Sequence, residues 1–146
     1  MNDFLRNEYV KSALQELLNN DPPSAAREIA NKIRQLAKPL QEEDIHFQIE
    51  EIKLFGSVEK PHPSDVDLCV IFNDIPPSRA TFLGQQLLNS LENEGITTGP
   101  GVKVKDRETN WNKFDVSAHV IFCTKPGLAQ MKDKKLQGVI LNGKSI

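Results

Sequence analysis

The sequence predicts an α+β protein in which a mixed β-sheet is covered by helices and preceded by two N-terminal helices. Three observations predict it: apolar residues recur at helical spacing in residues 1–44, apolar and polar residues alternate in later segments, and a further helical stripe lies between those segments. The 146 residues, 38% hydrophobic and 26% charged, fit one domain with a buried core. We divide this single domain into an N-terminal helical segment, 1–44, and a core segment, 45–146.

Two amphipathic helices are predicted in the first segment. One runs from about Asp3 to Asn19. In the second, Asp21 caps the first turn and Pro22 opens the helix, which loosens between Pro39 and Asp44. The apolar stripe of this second helix consists of Ala26, Ile29, Ala30, Ile33, Leu36, Ala37 and Leu40. Both helices are expected to cover the sheet, with the alternative that the first docks a partner or a second copy of the chain.

A strand from His46 to Phe55 leads into a Gly56-Ser57 turn, and a second strand follows at 66–72. Alternation along that strand separates two acids from its apolar face. The apolar side consists of Val66, Leu68, Val70 and Phe72. Asp65 and Asp67 then face one point, where their repulsion favours a bound hard cation such as Mg²⁺ or Mn²⁺. The turn lacks a Cβ at Gly56, so its N–H groups and the Ser57 hydroxyl can hold anionic oxygens.

A third acid, Asp115, lies in an alternating strand predicted from Lys113 to Phe122. If this strand pairs beside the Asp65/Asp67 strand in matching orientation, three carboxylates line one cleft and can hold two divalent ions. Asp106 and Glu108 are rival third acids. Asp115 could instead form an ion pair with Lys53. His119 shares the Asp115 face but lies about 13 Å further along the strand, so it is expected at the cleft rim or in contact with a neighbouring helix rather than among the metal ligands.

The remaining elements complete the sheet and its cover. A helix is predicted from Pro77 to Asn93, a loop from Gly95 to Gly101, an edge strand from Val102 to Lys105 and a short helix from Pro126 to Gln137. The inward positions of the first of these helices are Phe82, Leu83, Leu87, Leu88 and Leu91. The edge-strand cations either meet phosphates or are solvated edge charges; they are Lys103, Lys105 and Arg107.

From the Gly-Ser turn onward the chain resembles the DNA polymerase beta-like nucleotidyltransferase superfamily. The pattern of that family is Gly-Ser, a short loop, Asp-x-Asp within a strand and an acid on a later strand. The matching positions are Gly56, Ser57, Asp65, Asp67 and Asp115. More narrowly, the chain is similar to the minimal nucleotidyltransferases, and its tail from Leu136 to Gly143 is similar to the way many of those small domains end.

The resemblance implies metal-dependent transfer of a nucleoside monophosphate from an NTP, with ATP expected, to a hydroxyl of a protein, a small molecule or RNA. It implies that Asp65, Asp67 and Asp115 are metal ligands and catalytic residues, and that Gly56 and Ser57 bind phosphate. Lys60 stands in for a basic residue of the family's loop. Pro61 and Pro63 remove N–H donors from this loop, which weakens triphosphate binding. The alternative is an antitoxin-type or catalytically silent module that binds a protein partner such as a toxin.

Composition and charge exclude other classes. No apolar stretch is long enough to cross a bilayer, and the N-terminus is not that of a secretory signal, so a cytoplasmic location is expected. A net charge of −2 leaves a nucleic-acid partner open but without general attraction. Cys69 and Cys123 lack zinc-ligand spacing and are expected to be strand packing residues rather than nucleophiles.

Overall fold

A computed structural model describes residues 17, 20–55, 66–93, 110–113 and 118–146 of the chain. In chain order the elements are α1 (Pro22–Glu43), β1 (Ile49–Phe55), β2 (Val66–Phe72), α2 (Pro77–Asn93), β3 (Asn110–Lys113), β4 (Ala118–Thr124), α3 (Lys125–Ala129), α4 (Lys134–Leu141) and β5 (Lys144–Ser145). Within these ranges the strands form a five-stranded sheet in the order β3-β4-β2-β1-β5. The expected α+β class with a mixed sheet is confirmed.

The centre of the sheet combines antiparallel and parallel pairing. β1 runs antiparallel to β2, whereas β2 and β4 are parallel along their whole length, from Val66 opposite Ala118 to Phe72 opposite Thr124. β3 is antiparallel to β4, and β5 is antiparallel to β1. Because β2 and β4 are parallel neighbours, the first residues of both strands lie at the same end of the sheet.

Each face of the sheet has its own apolar cluster. The first cluster, under α1 and α2, contains the strand residues Ile52, Leu54, Leu68, Val70, Phe72, Val120 and Phe122. The second cluster contains Phe55, Cys69, Ile71, Ile121, Cys123, Leu128, Met131 and Ile140. Successive residues of β2 therefore alternate between the two clusters, as its sequence predicts. Asp67, one residue before Leu68, lies on the face of the second cluster.

Helix α1 begins as predicted. Asp21 is its N-cap, and the Asp21 carboxylate accepts hydrogen bonds from the backbone N–H and the hydroxyl of Ser24. The expectation that the helix loosens at Pro39 is wrong, since α1 continues to Glu43. The last turn is held because Leu40 packs against the first cluster and its carbonyl accepts the Asp44 N–H at 3.0 Å.

Helix α2 has the predicted bounds, and four of its five predicted inward residues are buried: Leu83, Leu87, Leu88 and Leu91. Phe82 is the exception, because half of its surface, 50%, is exposed. The buried stripe of α2 begins at Ala80 and continues at Leu83. Phe82 comes one residue before Leu83, so its side chain lies about 100° away from that of Leu83 around the helix axis. Its ring instead lies under the Arg79 guanidinium, 5.4 Å from the ring centroid.

Strand β1 starts at Ile49 rather than at His46. The three residues before it are held by side chains instead of a strand ladder. Asp44 accepts the His46 N–H at 3.1 Å, while the Asn73 amide donates to the His46 carbonyl and accepts the Gln48 N–H at 2.9 Å. These hydrogen bonds pair backbone N–H and C=O groups of residues 46–48 with side chains, so the ladder of β1 begins only at Ile49.

The strand predicted from Lys113 to Phe122 is not one strand. Lys113 belongs to β3 and lies opposite His119 in an antiparallel ladder, whereas β4 begins at Ala118 and extends to Thr124. The error arises because alternation alone does not reveal which strand a residue pairs with.

The single helix predicted from Pro126 to Gln137 is also wrong, because two helices occupy this region. Thr124 caps α3, accepting the Gly127 N–H at 2.9 Å, and Asp133 caps α4, accepting the Leu136 N–H at 3.0 Å. A second cap in mid-segment starts a second helix. Beyond α4, β5 adds an unpredicted strand beside β1.

Several predicted elements lie outside the described residues: the first helix apart from Leu17, the 95–101 loop and the 102–105 edge strand with Lys103, Lys105 and Arg107. They stay predictions, as does the division of one domain into 1–44 and 45–146. Leu17 packs against the first cluster. Among the helices of the described ranges, none combines the length and the apolar character that crossing a membrane requires.

Candidate functional site

The predicted site residues divide into one that the structure describes and five that it does not. Asp67 lies in β2. The other five lie outside the described residues; they are Gly56, Ser57, Lys60, Asp65 and Asp115. Their assignments as metal-binding, catalytic and phosphate-binding residues therefore stay predictions, and the described part of the site is built around Asp67.

Asp67 is the second residue of β2, between Phe55 of β1 and His119 of β4 in the sheet register. It is half-buried. Two residues further along, Cys69 is fully buried in the second cluster, so the polar part of this face is confined to the start of the strand. The Asp67 carboxylate therefore lies near the end of the sheet where β2 begins, next to the apolar interior.

The parallel pairing of β2 and β4 meets only part of the condition that the sequence imposed on a third acid, because Asp115 is not in β4 and lies outside the described residues. Asp65 directly precedes β2, and Asp115 lies three residues before β4 begins at Ala118. Since parallel neighbours start at one edge, the chain enters both strands on the side of the sheet where Asp67 lies. The convergence of the three carboxylates remains a prediction.

His119 is a neighbour that strand rise alone did not indicate. Counting along one strand placed it about 13 Å from Asp115. The register places it directly opposite Asp67, and adjacent parallel strands are about 4.8 Å apart. Only the pairing of β2 with β4 could reveal this, because the two residues are far apart in sequence.

The donor chemistry fits a hard divalent cation. Carboxylate oxygens are the ligands that Mg²⁺ and Mn²⁺ prefer, and the predicted set consists of three aspartates. Within the described ranges no group of three or more His, Cys, Asp or Glu side chains could hold a metal ion. The predicted site therefore depends on Asp65 and Asp115, which lie outside the described residues, in addition to Asp67.

Lys53 was the alternative partner for Asp115. Its ammonium group donates a hydrogen bond to the Leu141 carbonyl at 2.9 Å and lies 4.0 Å from the Glu51 carboxylate. These contacts tie β1 to the end of α4. They give Lys53 a structural role that does not depend on Asp115.

The two cysteines are packing residues, as expected. Both are buried free thiols whose sulfur atoms are 3.5 Å apart. The hydrogen bond with Cys123, followed by burial, raises the pKa of the Cys69 thiol well above 9.0. A thiol of this kind is a poor nucleophile, even though Cys69 is close to Asp67 along the strand.

Comparison with protein-family models and with curated proteins yields no match. Among solved structures the chain is similar to Cid1, which is described as having RNA terminal uridylyl transferase activity, with a TM-score of 0.41 and 18% identity. The alignment covers 84% of this chain and 37% of the Cid1 chain, so this chain spans little more than a third of that structure. The similarity amounts to a weak fold relationship and does not define a substrate, a metal or a mechanism for this chain.

Proposed function

We propose that the protein is a metal-dependent nucleotidyltransferase that moves a nucleoside monophosphate from an NTP, expected to be ATP, to an acceptor hydroxyl. The observation that carries the proposal is the parallel pairing of β2 with β4. This pairing brings the strand that contains Asp67 beside the strand that begins three residues after Asp115, which supports the proposal that the two acids meet.

The motif itself supplies the other support. In sequence, the predicted Gly56-Ser57 turn follows β1, and Asp65 and Asp67 stand on either side of Val66, the first residue of β2. β1 and β2 are antiparallel neighbours, so the last residue of β1, Phe55, lies opposite Asp67 near the start of β2. Phosphate-binding groups on the loop and carboxylates on the strand would then act on one substrate.

Asp65, Asp67 and Asp115 are the residues that would hold the divalent cation. When bound, such an ion neutralises phosphate charge and lowers the pKa of a coordinated hydroxyl. Gly56, Ser57 and Lys60 would hold the outer phosphates of the NTP and keep the α-phosphate in line with the acceptor. Alignment and charge neutralisation then supply most of the rate enhancement.

The chemical step is a substitution at phosphorus. The acceptor oxygen forms a bond to the α-phosphorus while the bond from that phosphorus to the bridging oxygen of the β-phosphate breaks, and pyrophosphate leaves. The acceptor proton passes to Asp115 or to water. No covalent intermediate with the protein is required, in agreement with the buried state of both cysteines.

The test is transfer of label from α-³²P-ATP, with Mg²⁺ or Mn²⁺, to the protein itself, to RNA or to small acceptors. We expect Asp67→Asn to lower the rate about a hundredfold or more, which corresponds to about 3 kcal/mol of transition-state stabilisation. Chelation of the metal with EDTA should abolish transfer, and added Mn²⁺ should restore it.

Asp74→Asn is the matched control, since Asp74 is an exposed aspartate shortly after β2. This variant should transfer label at the wild-type rate. Equal rates for wild type and Asp67→Asn would overturn the assignment of Asp67. Absence of transfer to every acceptor class, with both metals and all four NTPs, would overturn the proposed activity.

A further inference from the structure

Four residues lie side by side across the sheet at the end where β2 begins. The register pairs Phe55 of β1 with Asp67 of β2, Asp67 with His119 of β4, and His119 with Lys113 of β3. We call the last three of these residues, Asp67, His119 and Lys113, the polar row. Because neighbouring strands are about 4.8 Å apart, the backbones of Asp67 and Lys113 are about 10 Å apart across the sheet.

The polar row lies on the sheet face of the second cluster, where Asp67 also lies. Ile121 belongs to that cluster, and His119 precedes it by two residues on β4. Trp111 is opposite Ile121, and Lys113 follows Trp111 by two residues on β3. Residues two apart in a strand share a face, and so do residues directly opposite each other on neighbouring strands. The fold therefore places an acid, a histidine and a lysine next to one another on one face.

One side of the polar row is closed by the apolar interior. The next residues along β2 and β4 on this face are Cys69 and Ile121, which are paired in the register and buried in the second cluster. A polar ligand placed there would lose its water without gaining a partner. A ligand of the polar row is therefore expected to approach from the end of the sheet where β2 and β4 begin.

The position of β1 indicates which substrate the polar row meets, and this step rests on the proposed function. There the Gly56-Ser57 turn holds the outer phosphates of the NTP, and it directly follows Phe55, the residue opposite Asp67. The outer phosphates are then on the β1 side of Asp67, whereas His119 and Lys113 are on the other side. In-line substitution requires the attacking oxygen to stand opposite the leaving pyrophosphate. The acceptor is therefore expected on the side of His119 and Lys113.

We propose that His119 and Lys113 form the acceptor subsite, and that they select an acceptor with a phosphate group on the sugar that carries the reacting hydroxyl. Lysine is a common phosphate ligand, and a histidine N–H can donate to the same group. The several oxygens of one phosphate can accept from both residues, whereas an uncharged acceptor gains nothing from the lysine charge. The chemical class is a phosphorylated ribose, which occurs in a free nucleotide and at the end of an RNA chain.

The test compares cytidine with cytidine 5′-monophosphate (CMP) as acceptors of label from α-³²P-ATP. We expect kcat/KM to be higher for CMP by about tenfold or more, because a hydrogen bond to a charged group is stronger than one to a neutral group. Lys113→Gln should lower the ratio of the two kcat/KM values about tenfold, since it removes the charge. Lys113→Arg keeps the charge and should keep a preference for CMP.

Lys38→Gln is the matched control. Lys38 is an exposed lysine of α1, which covers the other face of the sheet, so this variant should keep the wild-type ratio. A short oligocytidylate with a free 3′ hydroxyl shows whether the acceptor is a free nucleotide or the end of an RNA chain, and a preference for either over cytidine supports the proposal. Equal use of cytidine and CMP, or equal effects of the two lysine substitutions, overturns it.

Direct binding separates failure of this inference from failure of the proposed transfer. Calorimetric titration of the full chain with CMP, in the presence of Mg²⁺ and a non-hydrolysable ATP analogue, requires no turnover. CMP should bind Lys113→Gln about tenfold more weakly than wild type, and His119→Leu should also weaken binding. If no label is transferred but CMP binding depends on Lys113 in this way, the proposed activity is wrong and the phosphate subsite stands. Absence of CMP binding overturns the subsite whether or not label is transferred.

Discussion

The sulfur atoms of Cys69 and Cys123 lie 3.5 Å apart between β2 and β4, the two parallel strands at the centre of the sheet. Both thiols are fully buried. Burial and a raised Cys69 pKa suppress the thiolate on which cysteine reactivity depends.

We therefore expect both thiols to be inert toward a water-soluble disulfide reagent such as DTNB while the protein is folded. In urea above the unfolding midpoint, two thiols per chain should react. Lys132→Cys places a thiol at an exposed position and should react rapidly without urea. Rapid reaction of the wild-type thiols in buffer would contradict the buried arrangement.

Gly143 is required by close packing at the end of α4. A Cβ at this position would be 2.8 Å from the Leu54 carbonyl oxygen, 3.0 Å from the Ile140 carbonyl oxygen and 3.1 Å from the Phe55 Cβ. Two of these atoms are backbone and cannot swing away. Gly143→Ala should lower the free energy of unfolding by about 1–3 kcal/mol, measured by urea denaturation.

Gly138→Ala is the matched substitution. Gly138 lies inside α4, and a Cβ there would meet nothing within 4 Å. Because alanine favours the helix more than glycine does, this variant should gain about 0.5–1 kcal/mol. Equal effects of the two substitutions would contradict the packing described around Gly143.

Asp44 should make stability depend on acid pH. A hydrogen bond from the Arg79 guanidinium, at 2.9 Å, and one from the His46 N–H lower the pKa of the Asp44 carboxyl below 3.8. Because the folded pKa is lowered, the stabilising contribution is complete above 3.8 and is lost as the pH falls below it.

The measurement is thermal unfolding of wild type and Asp44→Asn between about pH 7 and pH 2.5. The variant should be less stable at neutral pH, and the difference should shrink as the pH falls below the carboxyl pKa. Asp74→Asn, which removes one exposed carboxylate, is the control for the change in net charge. If the difference in stability between wild type and Asp44→Asn stayed constant across this pH range, the negative charge of Asp44 would not contribute to stability.

Phe72 and Phe82 should respond very differently to truncation. Phe72 is fully buried, with its ring centroid 5.0 Å from that of Phe47 and 5.9 Å from that of Phe122, whereas Phe82 is 50% exposed. Phe72→Ala should cost about 3–5 kcal/mol of unfolding free energy and Phe82→Ala about 1 kcal/mol or less. Similar losses would place Phe82 in the core after all.

The elements that the sequence predicts best are those whose signal is local. Asp21 and Pro22 start α1 because a cap and a first-turn proline act within a few residues. The alternation of Leu68, Val70 and Phe72 needs only the geometry of an extended strand. The Phe82 error has the opposite origin, since only the packing of α2 on the sheet decides which edge of the apolar stripe is covered.

The candidate site divides in the same way. Spacing alone brought Gly56, Ser57, Asp65 and Asp67 together as one motif. The parallel partnership of β2 with β4, and with it the position of His119 opposite Asp67, depends on strands that are about fifty residues apart in sequence. Pairing over that distance leaves no local pattern to read.

By itself, the sequence determined the α+β class, the start of α1, the extent of β2 and α2, and the acidic motif, because propensity, capping and periodicity operate over neighbouring residues. The tertiary structure alone decided the strand order, the division of the C-terminal region into α3 and α4, and the addition of β5 to the sheet. These features arise from contacts between distant segments, whose free energy depends on apolar burial that exists only once the chain has folded.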